Sequence, residues 1–283
     1  MTPQEAQSHV PNSPSTDLAR RPVAAFFDLD KTIIATSSAF AFGKEFMNKG
    51  LISKQEALEL YLAKTSYMFT GLSSEQMDTT RDQLTNMVAG WSVAEVRRIT
   101  DETMHNVVTP AIYSEARELI KFHKAAGHQV IIISASASHL VEPIAVELGI
   151  SRIAATELEV VDGRFTGNIV SYLKGDAKAD AITELAEANG YDLANSYAYS
   201  DSATDIPMLE KVGHPVAVNP DRAMKKHALD NSWEIRTFKH PEPLIHTPNA
   251  KEVGIGAGVI AGITAIAVGG LWVAHKLRDG RPA

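Results

Sequence analysis

From position 23 onward, short apolar runs alternate with stretches of helical period. The runs 23–28 (VAAFFD), 129–134 (QVIIIS), 196–200 (SYAYS) and 215–218 (PVAV) predict strands, and a 3.6-residue repeat predicts helices over 111–126, 138–148, 177–189, 205–211 and 221–229. Strands that alternate with helices predict an α/β fold: a Rossmann-like, doubly wound parallel sheet with helices on both faces. About a hundred residues separate the first two strands, and 36–110 read almost wholly as helix. That is too long for a simple crossover, so a helical cap inserted after the first strand is expected, leaving 23–35 and 111–238 as the core. A smaller hairpin is expected at 158–170, turning at Asp162-Gly163.

The two ends depart from this pattern. Residues 1–22 are rich in Pro, Ser, Thr, Asn and Gln, which predicts a disordered leader, and 239–252 read as an extended linker. Residues 253–274 carry no charge over 22 positions, about 33 Å as a helix against about 30 Å of hydrocarbon, so a single C-terminal transmembrane helix is expected. Gly254, Gly258 and Gly262 in it repeat the GxxxG spacing, which offers a homodimer contact. The apolar run 23–27 is cut at Asp28, too short for a signal core, so the expectation is a single-pass protein of the cell membrane with its catalytic domain in the cytoplasm. The basic tail 275–283, with Lys276, Arg278 and Arg281, pulls against that orientation under the positive-inside rule.

Composition narrows the chemistry. A net charge of −7 over 283 residues provides no basic field for nucleic acid, so any phosphate recognition must be local. The chain has no cysteine, which excludes disulfides, thiolate metal sites and a cysteine nucleophile. The ten histidines show no metal-ligand spacing and receive no role. Met47, Met68, Met77, Met87 and Met104 read as core filler of the cap.

In a doubly wound sheet the loops at the carboxyl ends of the strands form the ligand crevice. Asp28 and Asp30 follow the first strand, Ser134 ends the second, Asp201 and Asp205 follow SYAYS, and Lys178 opens a helix upstream. Several carboxylates in one crevice repel one another unless a cation joins them, which predicts a hard divalent ion, magnesium, bound through oxygen. One carboxylate can then attack phosphorus to form an aspartyl phosphate, while the other protonates the leaving oxygen and later deprotonates the attacking water. Lys178 and Ser134 are candidates to hold the phosphoryl oxygens.

Four stretches, FFDLDKTI, IIISAS, GDAK and YAYSDSATD, occur in an order that resembles the haloacid dehalogenase-like hydrolase superfamily, in its phosphoserine-phosphatase-like branch of the subfamily IB type. The resemblance covers roughly 23–230. It implies that Asp28 is nucleophile and metal ligand, and that Asp30 is general acid and base with its backbone carbonyl on the metal. It further implies that Ser134 and Lys178 bind phosphate, with Lys174 the alternative lysine. Asp201 becomes the third metal ligand, and Asp205 orients Lys178 or a water. Asn219 is a further candidate to line the crevice, and Arg81, Arg97 and Arg98 are candidates to face it from the cap. Two departures bear on the substrate: SDSATD stands where GDGxND is typical, and Ser37 stands where the branch carries an acid for the serine amine. The function this implies is magnesium-dependent hydrolysis of a small phosphorylated metabolite. A phosphotransferase and a non-catalytic phospho-ligand-binding module are the alternatives.

Overall fold

The computed structural model describes residues 21–53, 55, 85 and 87–241. Most of the expected leader, part of the expected cap and everything after 241, including the expected span and tail, lie outside the described residues. Among the described residues no helix is long and apolar enough to cross a membrane.

Seven strands form one sheet: β1 (Ala24–Phe27), β2 (Gln129–Ala137), β3 (Arg152–Val161), β4 (Arg164–Ser171), β5 (Tyr197–Ser200), β6 (His214–Val218) and β7 (Glu234–Arg236). Their order is β4-β3-β2-β1-β5-β6-β7, with every pair parallel except β3 and β4. The chain runs outward from β1 through β2 and β3, then returns to the other side of β1 for β5, β6 and β7. The order therefore reverses between β1 and β5, and the crevice opens at their carboxyl ends.

β1 is fully buried because it is the central strand, and AAFF has no polar position to spare for water. The alternation of its side chains feeds two cores. Ala25 and Phe27 pack with Ile132, Tyr199 and Val216 on one face. Ala24 and Phe26 pack with Ile131, Ile133, Ala198 and Ala217 on the other. The first face is covered by α1 (Ser38–Asn48), α2 (Val93–Thr103), α3 (Ser114–Ala125) and α4 (Ser138–Glu147). The second is covered by α5 (Asp176–Asn189), α6 (Ile206–Leu209) and α7 (Arg222–Asp230). Both sides of the sheet thus carry helices, as the alternating pattern required.

Between β1 and α3 the described residues include α1, α2, a π turn at Met104–Val108 and a 3-10 turn at Thr109–Ala111. Ser37 and Ser92 cap the two helices by accepting from Phe40 N and Glu95 N. Phe42, Phe46, Val96 and Ile99 bury their apolar face. This insert also leans on the hairpin, where Gly90 N donates to Phe165 O and Val93 N to Gly163 O. The hairpin turns where expected, with Asp162 and Gly163 both at positive φ, as a two-residue primed turn demands.

Several boundaries move. β2 continues to Ala137 because a two-residue bulge, with Ser134 opposite Ala155 and Ala137 opposite Thr156, restarts the pairing beyond Ser134. β3 begins at Arg152, ahead of the expected hairpin, because its first half extends the parallel sheet. The short edge strand β7 carried no apolar alternation to announce it.

Candidate active site

The first loop of the crevice is a tight turn after β1. Asp28 N donates to Tyr199 O at 2.9 Å, so Asp28 still belongs to the sheet edge and stands beside the end of β5. The chain then coils on itself. Leu29 O accepts from Ile33 N and Ile34 N at 2.9 and 3.1 Å, and Lys31 sits at φ 61°. This brings Asp30 round to meet the start of α1.

Lys178 reaches the crevice from the other side. Gly175, at φ 59° and ψ −125°, takes a backbone conformation that a side chain would strain, and α5 starts immediately after it with Lys178 in the first turn. The Lys178 ammonium is buried and donates to Asp28 Oδ1 at 2.6 Å and to Asp205 Oδ2 at 2.7 Å. Ser200 Oγ donates to the same Asp205 oxygen at 2.7 Å. Lys178 thus stands between two buried carboxylates, Asp28 and Asp205.

Asp30 is held separately. Its Oδ1 accepts from Ser38 N at 2.9 Å and its Oδ2 from Ser136 Oγ at 3.1 Å. Ser134 is buried and its hydroxyl oxygen accepts from Ser136 N at 3.1 Å, which leaves its own hydrogen free to donate. Asp201 follows β5, buried, with its carbonyl accepting from Asp221 N.

The charges do not balance. Asp28, Asp30, Asp201 and Asp205 converge on a crevice whose buried cation among the described residues is Lys178. Burial pushes Asp28 up to about 7, against the pull of Lys178 and with the repulsion of Asp205. Burial likewise raises Asp30, and pushes Asp201 up to about 6 despite Lys31. Burial alone would lower Lys178, but Asp28 and Asp205 hold its ammonium above the ordinary lysine range. A site that raises three carboxylates together is short of positive charge.

Among the described residues no three His, Asp or Glu side chains form a ready metal cage. The expected set does not need one: it is two carboxylates, Asp28 and Asp201, with the backbone carbonyl of Asp30, at the ends of adjacent strands. Magnesium fills its remaining positions with water and substrate oxygens, so this oxygen-only, electron-rich set fits it.

Other candidates fall elsewhere. Arg97 and Arg98 pair with Glu142 and Glu102 on solvated helix faces, and Arg81 lies outside the described residues. Asn219 holds the backbone of Phe238, accepting at 2.9 Å and donating at 3.2 Å, and its side chain also meets Tyr113. The sequence reasoning missed Ser38, Ser136 and Ser200; their only local signal is a serine beside each motif.

A model described as haloacid dehalogenase-like hydrolase matches residues 25–210. A probable phosphatase of Mycobacterium tuberculosis is 46% identical over 262 residues, 92% of this chain and 91% of that protein. A second protein of that organism, named as a phosphoserine phosphatase, is 35% identical over 246 residues, 86% of this chain and 80% of that protein. Among solved structures, a protein of unknown function from Bordetella pertussis Tohama I is 27% identical, with a TM-score of 0.68 over 80% of this chain and 100% of that chain.

Proposed function

The chain belongs to the haloacid dehalogenase-like hydrolases, and from that premise we propose that it is a phosphatase that cleaves a small phosphomonoester through an aspartyl phosphate on Asp28. The observation that carries this reading is the buried Lys178 ammonium, held between Asp28 and Asp205 where the strand order reverses.

Asp28 Oδ1 is committed to Lys178, so Oδ2 is the oxygen that attacks phosphorus in line with the ester oxygen. The P–O ester bond breaks as the Oδ2–P bond forms, and Asp30 gives its proton to the departing alkoxide. Lys178 and the free hydrogen of Ser134 hold the phosphoryl oxygens while charge redistributes. Water then attacks phosphorus, Asp30 takes its proton, and the Asp28 carboxylate is released with inorganic phosphate. Bound magnesium, on Asp28, Asp201 and the Asp30 carbonyl, would supply positive charge that neutralises the phosphoryl oxygens. Asp205 keeps Lys178 pointed at Asp28 throughout.

The helical insert, lying between β1 and β2, is read as the cap that sets specificity. Ser37, where the branch carries an acid, is spent as the α1 cap, which argues for a substrate other than phosphoserine. The 22 uncharged residues at 253–274 support a single-pass anchor in the cell membrane, with the catalytic domain on the cytoplasmic side and the glycine spacing as a dimer contact. Protease protection in sealed vesicles tests the orientation; digestion of the domain only after the vesicles are opened from the far side would reverse it.

The direct test is acid quench of the full chain during turnover of a radiolabelled phosphomonoester with magnesium. The expected result is label bound to protein, released by hydroxylamine and absent with chelator. Turnover with no protein-bound label at any quench time would sink the covalent route.

A further inference from the structure

Resting on the reading of Asp30 as proton donor, we propose that Ser136 is a positioning residue for that proton transfer, and that Ser38 couples it to the helical insert. Ser136 Oγ donates to Asp30 Oδ2 at 3.1 Å. The Ser38 and Ser136 hydroxyls lie 2.7 Å apart, and the Ser38 hydroxyl also reaches the Asp30 carboxyl. The two hydroxyls and the carboxyl form one connected group. Meanwhile the Ser38 backbone N–H, an orphan donor at the start of α1, holds Asp30 Oδ1 at 2.9 Å.

Both carboxylate oxygens are therefore fixed, and the plane of the group with them. One anchor is the insert, at the first turn of α1. The other is the core, in the bulge of β2 that turns Ser136 inward. Asp30 is held only while these two parts stay together. A bound proton must be within reach of the leaving oxygen to be given, and a displacement of about 1 Å can cost about 100-fold in rate. Ser136 thus acts through Asp30 and touches no substrate.

Leaving groups separate this role from a structural one. A p-nitrophenolate departs without a proton, whereas an alkoxide needs one. In the full chain, Ser136→Ala is expected to slow the formation of protein-bound label, read by acid quench in the first turnover, about tenfold with an alkyl phosphomonoester and less than about twofold with p-nitrophenyl phosphate, because the later attack of water, which also uses Asp30, is common to both esters. Ser136→Thr is expected to keep most of the alkyl activity and Ser136→Val, equal in volume, to lose it, which isolates the hydroxyl if the alanine variant fails to fold. Ser38→Ala keeps the backbone donor and is expected to cost about threefold on the alkyl ester alone. Equal losses on both esters, or alkyl turnover untouched in both Ser136→Ala and Ser136→Val, overturn the proposal while leaving the phosphatase reading intact. An Asp30→Asn variant in which both esters label the protein equally slowly in the first turnover removes Asp30 as donor, and this inference with it. A parent chain that hydrolyses neither ester overturns both readings.

Discussion

Strand β5 has two ends that handle buried polar groups in opposite ways. Toward its amino end, His123 is fully buried against Tyr197 and Tyr199. Its ring nitrogens meet His128 Nδ1 and Tyr199 Oη, each at 2.8 Å. Tyr199 stacks on Phe27 at 4.4 Å, and Tyr197 on His214 at 4.5 Å. Burial, then His128 and Arg236, hold the His123 imidazole down to about 4, and burial holds the Tyr199 phenol above its ordinary value. Both are neutral at neutral pH and both are partnered.

At the carboxyl end, the same depth of burial is given to charges. Asp28 and Asp205 share one buried ammonium, Asp201 is buried close to Asp205, and burial pushes Asp28 and Asp201 up toward neutrality. A neutral hydrogen-bonded cluster completes itself; an unbalanced ionic one is completed by a ligand. The difference separates structure from function on a single strand.

The largest loss of activity is expected at Asp28. Asp28→Asn keeps the shape, removes the nucleophile, and is expected to lower kcat by at least about 10⁴-fold, read by phosphate release. Lys178→Met strands Asp28 and Asp205 against each other. It is expected to cost about 10³-fold in kcat and roughly 3 kcal/mol of stability in urea titration.

At the neutral end the expected loss is in stability alone, and it depends on pH. In the unfolded chain His123 takes up a proton near 6.5, but in the folded chain only near 4. Between those values the unfolded state binds more protons, so this contribution is complete above about pH 6.5 and drains as pH falls, by roughly 3 kcal/mol at about pH 4. His123→Leu should flatten that limb of the stability profile and leave kcat within about twofold; an unchanged slope would refute the assignment. Smallest is the effect of the cation without substrate. Magnesium at about 100 times its Kd should stabilise the fold by about 2.7 kcal/mol, seen as a rise in Tm. Asp201→Asn should abolish that rise.

The strands and acids that define the crevice were legible because each is announced locally. An apolar run stops at Asp28, and another at Asp201, and that is what a buried strand ending in a ligand loop must look like. The hairpin was legible for the same reason, through Asp162-Gly163. What escaped was whatever depends on a distant partner. Ser136 and Ser38 are ordinary serines until a fold brings them together over 98 positions. The first half of β3 hid because its apolar run, Ile153-Ala154-Ala155, is only three residues long and mostly alanine. Asn219 was expected in the crevice for lying after a strand, and nothing in its sequence announced the two bonds that its amide makes with Phe238. Beyond Phe238 the clasp is renewed by Glu115, which accepts from Lys239 N and His240 Nδ1 at 2.8 and 2.7 Å. Burial alone would raise that carboxylate, and these bonds hold it at about 2.

Because β1 lies between β2 and β5, the contact on which the chemistry depends closes a loop of 150 residues, from Asp28 to Lys178. During synthesis at about 5–20 residues per second, the first aspartate waits roughly ten to thirty seconds for its lysine, and longer for Asp201. Over that interval the most apolar strand of the protein has neither neighbour on the β5 side nor any compensation for its acids. Loop closure over such a distance makes for slow folding. The crevice is therefore among the last parts of this molecule to exist, although its first residues are among the earliest to be made.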